Sequence, residues 1–111
     1  WAAGFFDGDG WIGAISTNGT GKRLSIRINQ VDDHVLRRFQ NALHIGYVNG
    51  PRHASKNKNA RPIYDYKCES FEGGQAVVAQ LWTFLGPVKR NQAKTALRQM
   101  SDYFKTRMNR R

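Results

Sequence analysis

Cysteine, long apolar runs and targeting signals are scarce or missing in this 111-residue sequence, and each absence excludes a class of protein. Its single cysteine, Cys68, cannot form an internal disulfide, and the residues around it lack zinc-site spacing. We expect Cys68 to be a small core residue. No apolar run approaches the roughly 20 residues of a membrane span, and no signal-peptide pattern is present. These absences favour an intracellular protein of the cytoplasm, nucleoid or an organelle that is neither secreted nor bound to a membrane.

Acidic residues are also scarce, because 8 Asp and Glu stand against 18 Lys and Arg and give a net charge of +10. Such an excess favours a polyanionic partner, since phosphate contacts release counterions. A soluble basic domain without such a partner is the alternative. Length and a 40% apolar fraction predict one domain over residues 1–111, with a frayed basic tail at about 107–111. The missing initial methionine suggests a processed or excised piece of a longer chain.

The most informative segment is Ala2–Gly10, which is small and apolar at first and then acidic and glycine-rich. Gly4 and Gly8 share one helix face, and glycine there lets a second helix backbone approach closely. Two such helices side by side would bring two copies of Asp9 together, which is how a protein collects a divalent metal. The sequence therefore predicts a tightly packed helix that delivers carboxylates to a shared site.

Two other metal interpretations of the sequence fail. A calcium loop counted from Asp7 would need an oxygen ligand, a glycine and a glutamate at the positions held by Trp11, Ile12 and Asn18. The three histidines show no metal or nucleophile spacing, so we interpret them as surface or helix residues.

Hydrophobic periodicity predicts the order helix, hairpin, helix, hairpin, helix, helix. The predicted helices cover 1–7, 32 or 33 to 43, 73–85, and 88 or 89 to 106; the strands cover 11–17, 22–30, 46–49 and 63–70. A turn over 18–21 and a polar basic loop over 50–61 connect the strands. Val35, Leu36, Phe39, Ala42 and Leu43 form the predicted core face of the second helix. The fold class is α+β, with a four-stranded antiparallel sheet covered by helices on one face.

Strand 22–30 alternates between apolar and polar residues, with Leu24, Ile26 and Ile28 on the apolar side. The polar positions are Arg23, Ser25, Arg27 and Asn29. Arginine and asparagine suit base edges and phosphates, so this open face is a candidate nucleic-acid surface. An ordinary solvated face is the alternative.

Segment Ala2–Gly10 resembles the signature of the LAGLIDADG homing endonucleases, which it matches at Ala3, Gly4, Asp7, Asp9 and Gly10. It departs from the signature at Phe5, Phe6 and Gly8. The resemblance covers nearly the whole chain, because the predicted elements follow the family's αββαββα plan. Three further stretches, 28–32, 44–48 and 84–93, resemble the family at its second-strand end, its third-strand entry and its lysine-bearing segment.

The resemblance implies catalytic roles for three residues. Asp9 matches the ligand of the catalytic divalent metal, and the Gly8 carbonyl lies where a backbone ligand is often added. Gln30 is similar to a residue that orients water, with a strand-end surface residue as the alternative. Lys89 matches a basic residue that assists the nucleophilic water or offsets phosphate charge, with a solvated lysine as the alternative. Asp7 is expected to be structural.

The family's sheet forms a saddle over the DNA major groove, which implies DNA contacts along the open face of this sheet. The residues so assigned are Lys22, Arg23, Ser25, Arg27, Asn29, Asn49, Arg52, Arg61, Asp65, Lys67 and Glu69. The implied dimer interface consists of Gly4, Phe5 and Gly8. We expect Trp11 to pack at a junction of helix and sheet, the alternative being a DNA contact.

The function implied by the resemblance is site-specific cleavage of double-stranded DNA at a long pseudo-palindromic site, serving intron or intein mobility. The cofactor would be Mg²⁺, with Mn²⁺ or Ca²⁺ able to substitute in binding. A single motif implies a homodimer, or pairing with the other half of a two-motif protein, and no small-molecule substrate. The alternatives are an intron-RNA maturase or a non-cleaving DNA-binding protein on the same scaffold.

Overall fold

The computed structural model describes residues 1–17, 19, 21–53, 56 and 59–109. Its elements are α1 (Ala2–Asp9), β1 (Gly10–Ser16), β2 (Lys22–Gln30), α2 (Asp33–Leu43), β3 (Tyr47–Arg52), β4 (Ile63–Cys68), α3 (Phe71–Leu81), a 3₁₀ turn (Trp82–Phe84) and α4 (Pro87–Asn109). The strands form one antiparallel sheet in the order β1-β2-β4-β3. The predicted α+β fold is therefore confirmed. Within the described part of the chain, no helix combines the length and apolarity that crossing a membrane requires.

The core lies between the helices and one face of the sheet. Leu24, Ile26 and Ile28 of β2 are at most 1% exposed, which confirms the predicted alternation. The ring of Phe39 from α2 lies 4.9 Å from that of Tyr66 on β4, centroid to centroid, and joins helix to sheet. Cys68 is buried as expected.

The predicted core face of α2 is only partly correct. Leu36, Phe39 and Leu43 are buried, whereas Val35 is half-buried and Ala42 is exposed. Burial on this helix follows a narrower stripe than the sequence pattern suggested, because α2 presents one ridge of large side chains to the sheet.

Side-chain caps set where two helices begin. The Ser70 hydroxyl accepts the backbone N–H of Gly73 at 3.0 Å, so β4 ends at Cys68 and α3 begins two residues before the predicted start. The Asp32 carboxylate accepts the N–H of His34 at 2.9 Å and caps α2. At its far end α3 passes into the 3₁₀ turn rather than continuing to residue 85.

Glycine and proline at two boundaries act differently from the sequence prediction. Gly8 lies inside α1 rather than ending it, and β1 begins directly afterwards at Gly10. Pro87 is the first residue of α4, a position where its missing N–H removes no helical hydrogen bond. Helix α4 continues to Asn109, three residues beyond its predicted end at 106, and residues 110 and 111 lie outside the described part of the chain.

Strand β3 continues three residues beyond its predicted end and takes in Gly50 and Pro51. Proline is tolerated because β3 is an edge strand, and the register shifts between Asn49 and Arg52 as in a β-bulge. The predicted loop is correspondingly shorter. The tip of the predicted turn at Asn18 and Thr20, and loop positions 54, 55, 57 and 58, lie outside the described residues.

Candidate functional site

The end of α1 meets the end of β2 through two polar side chains. Gln30 donates a hydrogen bond from Nε2 to Oδ2 of Asp9 at 3.1 Å. The pairing of Gly10 with Ile28 brings the two side chains together. Asp9 directly precedes Gly10, and Gln30 follows Ile28 by two positions. This bond orients the carboxylate and leaves Oδ1 without a hydrogen bond among the described residues.

Asp7, two residues earlier, holds the ends of two helices together. Its Oδ1 accepts the backbone N–H of Gly86 at 2.9 Å, so the end of α1 is fixed to the start of α4. A Cβ added at Gly86 would lie 2.9 Å from Oδ2 of Asp7, so the contact leaves little space there for a side chain. This geometry agrees with the structural role expected for Asp7.

We predict that Asp7→Ala lowers the free energy of unfolding by about 1 kcal/mol, the typical value of a helix cap. Urea denaturation followed by circular dichroism measures the change. Asp102→Ala, which removes an exposed carboxylate from α4 without removing a described side-chain contact, is the matched control and should be neutral. Full stability combined with loss of function would contradict the structural assignment.

Lys89 lies in the first turn of α4 and is half-buried. The hydrogen bond between Asp7 and Gly86 joins the end of α1 to the residue before α4. Asp9 lies two residues after Asp7, and Lys89 lies three residues after Gly86. No ion pair joins Lys89 to Asp9 in the described part of the chain. The structure therefore brings Asp9 and Gln30 into direct contact, whereas Lys89 has no described contact with either of them.

The open face of the sheet carries most of the residues predicted to bind DNA. Strand pairing sets Arg27 opposite Lys67, and both Asn29 and Asn49 opposite Asp65. The residues on this face from the predicted set are Arg23, Ser25, Arg27, Asn29, Asn49, Arg52, Asp65, Lys67 and Glu69. The face is thus mainly cationic, with acidic side chains at specific points.

Each of these acidic side chains pairs with at least one arginine side chain. Arg52 donates from Nε to Oδ2 of Asp65 at 2.5 Å and from Nη2 to Oδ1 at 3.0 Å, while Asp65 is only 4% exposed. The hydrogen bonds from Arg52 hold the pKa of Asp65 below its ordinary value. Glu69 forms ion pairs with Arg23 at 3.2 Å and with Arg27 at 3.7 Å. Asp65 and Glu69 therefore orient cationic side chains on the open face.

One residue of the predicted DNA-binding set is covered on the open face, and two others lie off that face. Ser25 is fully buried and accepts a hydrogen bond from Nε of Arg27 at 3.0 Å, so Arg27 covers it. Lys22 lies on the helix-packed side, where it lines a hollow with Gln99 and Tyr103 of α4, because strand alternation gives it the parity of Leu24. Arg61 is exposed and precedes β4.

Two exposed aromatic residues on the open face were not assigned to it from the sequence. Trp11 pairs with Arg27 and is 42% exposed, and Tyr47 pairs with Lys67 and is 45% exposed. Trp11 also lines a groove between β1 and α4 with Val88, so it lies at a junction of helix and sheet as well as on the open face. The alternation of β2, extended to β1 through the predicted hairpin turn, would have placed Trp11 on the same face as Arg27.

The outer face of α1 is bare. A Cβ added at Gly4 or Gly8 would meet nothing within 4 Å. Phe5 is half-buried, with its ring stacked on Trp1 at 5.4 Å and edge-on to Phe39 at 5.7 Å. Trp1 and Phe84 flank the helix at 53% and 76% exposure. The structure therefore leaves an apolar, small-residue surface along the helix that bears the motif.

A second acidic group lies at the start of α2. Ligand atoms of Asp32, Asp33 and His34 are within 4.8 Å of one another. Asp32 caps the helix, however, and Asp33 accepts a hydrogen bond from Nε of Arg37 at 3.1 Å, which lowers the pKa of Asp33. Both carboxylates are therefore explained by their roles in stabilising α2.

The donors at Asp9 fit a divalent metal of the hard type. The side chain is exposed, offers carboxylate oxygen, and is held in place by Gln30. Mg²⁺ is usually bound through one or two carboxylates together with substrate phosphates, so a single carboxylate per chain is compatible with it.

Solved structures of homing endonucleases share this fold. I-CvuI in complex with its target in the presence of Ca is 25% identical at a TM-score of 0.72, over 96% of this chain and 68% of that one. I-CvuI with the I-CreI target and Mg, its DNA not cleaved, is 26% identical at 0.66 over 85% of this chain. I-TnaI is 24% identical at 0.63, over 88% of this chain and 67% of its own.

This chain spans 59% of the I-CvuI protein in the Mg-containing structure, so it corresponds to part of that protein's length. No protein-family model and no curated protein matches the sequence. The structural likeness, with the motif at the junction of α1 and β1, confirms the resemblance from which the site residues were assigned.

Proposed function

We propose that this chain, which has the fold and carries the signature motif of the LAGLIDADG homing endonucleases, hydrolyses double-stranded DNA at a specific site. The observation that carries the proposal is the bond between Gln30 and Asp9 beside a cationic sheet face. A domain that only binds DNA gains nothing from an exposed carboxylate next to phosphate, because the two repel each other. The DNA complexes of I-CvuI support the substrate class.

The residues divide the proposed reaction between them. Asp9 would hold a divalent metal, which supplies an activated water and a counter-charge for the leaving oxygen when it is bound. Gln30 fixes the Asp9 carboxylate and orients water beside it. Lys89 offsets charge on the phosphate from the first turn of α4. Mg²⁺ is the proposed metal, and the Mg and Ca of the I-CvuI complexes support divalent metal use.

We propose that two copies of the chain act together. One chain offers one Asp9, whereas a cut in each strand needs two sites. The bare face along Gly4 and Gly8 is the surface that a second α1 would cover. Because a two-fold dimer presents the same residues to both half-sites, the target would be pseudo-palindromic.

Cleavage of a plasmid library carrying randomised targets tests the proposal. Purified protein with Mg²⁺ should linearise a subset of plasmids whose recovered cut sites share one sequence, and omission of the metal should stop cleavage. Specific binding without cleavage under any divalent metal would instead identify a DNA-binding protein on this scaffold. Absence of any sequence-specific binding would overturn the proposal altogether.

The contact between Arg52 and Asp65 gives a prediction about specificity. Asp65 occupies Nε and Nη2 of Arg52 and leaves Nη1 without a partner in the described structure, so the guanidinium is fixed before DNA binds. Arginine held in this way suits a guanine edge. We expect Asp65→Asn to reduce discrimination at one base pair per half-site by about 1–3 kcal/mol. Competition binding against single-position target variants measures it.

Glu69→Gln is the matched control, because it removes the same charge from the same face without touching Arg52. Since Glu69 pairs with Arg23 and Arg27, any loss of discrimination that it causes should fall at a base pair other than the one read by Arg52. Asp65→Asn should have no further effect once Arg52→Ala is present. An identical loss at the same base pair in both charge-removing variants would show that only overall charge matters and would contradict the orienting role of Asp65.

A further inference from the structure

The indole of Trp11 lies against Gly13. A Cβ added at Gly13 would come within 2.5 Å of Cζ2 and 2.6 Å of Cη2 of the indole. The ring therefore occupies the volume that any other side chain at position 13 would fill. Gly13 thus permits a conformation in which the indole lies along β1 on the open face, beside Arg27.

Trp11 lines two hollows. One, of about 320 Å³, is also lined by Asp9, Arg27 and Asn29. The other, of about 440 Å³, lies between β1 and α4, and its lining includes Asn91, Gln92 and Gln99. Each hollow therefore combines the indole with polar side chains.

The chemistry of this arrangement matches a nucleic-acid strand. A strand alternates between charged phosphates and sugars with substantial apolar surface. The indole of Trp11 is a rigid apolar ring that is 42% exposed. One of the two hollows that it lines contains a carboxylate and an arginine, and the other contains amide side chains. Arginine, asparagine and glutamine side chains are all regular phosphate partners.

We propose that Trp11 is a positioning residue for the strand to be cut: its indole packs against a deoxyribose and thereby directs the neighbouring phosphate into the hollow at Asp9. This inference rests on the proposed nuclease function and adds a residue to it. Positioning of this kind acts on the rate of the bound complex, because misplacement of reacting atoms by about 1 Å can lower a rate by about 10²-fold. Affinity for DNA depends mainly on the phosphate contacts made elsewhere on the face.

Fluorescence tests the contact directly. In a Trp1→Phe, Trp82→Phe double variant, Trp11 is the only tryptophan. Addition of a cleavable target duplex with Ca²⁺ should change both the intensity and the iodide accessibility of its emission. Binding of the duplex, seen by gel shift, with unchanged Trp11 emission would overturn the inference.

Rates test the consequence. Trp11→Ser should lower the single-turnover cleavage rate at saturating DNA by at least about tenfold and change Kd by less than about threefold, whereas Trp11→Phe should retain more of the rate. Gly13→Ala, which displaces the indole without removing it, should reproduce the loss; thermal melts check that each variant folds. An unchanged saturated rate in Trp11→Ser would overturn the inference. Wild-type protein that binds no DNA would overturn the proposed function instead.

Discussion

Asp9→Asn is expected to lower the single-turnover cleavage rate by at least about 10³-fold and to leave DNA affinity equal or higher. The rate should fall because the amide is a poor metal ligand, and a divalent metal supplies several kcal/mol of transition-state stabilisation. Affinity should hold because the net charge rises from +10 to +11 as the acidic residues fall from 8 to 7 against 18 basic ones. Quenched-flow cleavage and gel-shift titration on one target measure the two quantities.

Asp7→Asn is the matched control for Asp9→Asn, since it makes the same chemical change two residues away at a side chain bonded to Gly86 rather than to Gln30. It should reduce stability and leave the rate of the folded fraction near that of wild type. Gln30→Ala should give a smaller rate loss than Asp9→Asn, because it frees the carboxylate without removing it. Cleavage by Asp9→Asn at the wild-type rate would exclude Asp9 as the metal ligand.

The sequence predicted those parts of the site that depend on local periodicity. Alternation along β2 correctly separated Leu24, Ile26 and Ile28 from Arg23 and Arg27, because neighbouring residues in a strand must face opposite sides. The motif predicted that α1 would lead directly to Asp9. The structure adds the hydrogen bond from Gln30, whose partner lies 21 positions away.

Long-range pairing was beyond the sequence pattern. Asp65 was assigned to DNA because of its strand parity, yet it holds Arg52, which a shift of register in β3 brings beside it. A bulge of this kind has no periodic signature, and Gly50 and Pro51 indicated a loop. For Trp11 the face follows from strand alternation, but the position of the ring depends on its contact with Gly13, which the pattern does not predict.

A leucine at Gly4 on the outer face of α1 gives the second large expected effect. It should stabilise the isolated chain and destabilise the dimer. Gly4→Leu should stabilise the isolated chain by about 0.5–1 kcal/mol, because leucine is the better helix former and a Cβ there meets nothing within 4 Å. In a dimer packed through this face, each chain would insert one leucine side chain into a closely packed interface. Each insertion would destabilise the dimer by about 1–3 kcal/mol. The dimer dissociation constant should therefore rise by about 30-fold to 10⁴-fold.

Sedimentation velocity over a concentration series gives the dissociation constant, and thermal melts at low concentration give the stability of the chain alone. Ala79→Leu, which introduces the same side chain at an exposed position of α3, is the control and should leave dimerisation unchanged. Gly4 is the better site for the test than Gly8, whose carbonyl is a proposed metal ligand. If Gly4→Leu stabilises the chain and the dimer forms as before, α1 is not the dimer interface. If dimerisation and double-strand cleavage are lost together while DNA binding by the more stable chain persists, the bare face of α1 is what brings the two copies of Asp9 onto one duplex.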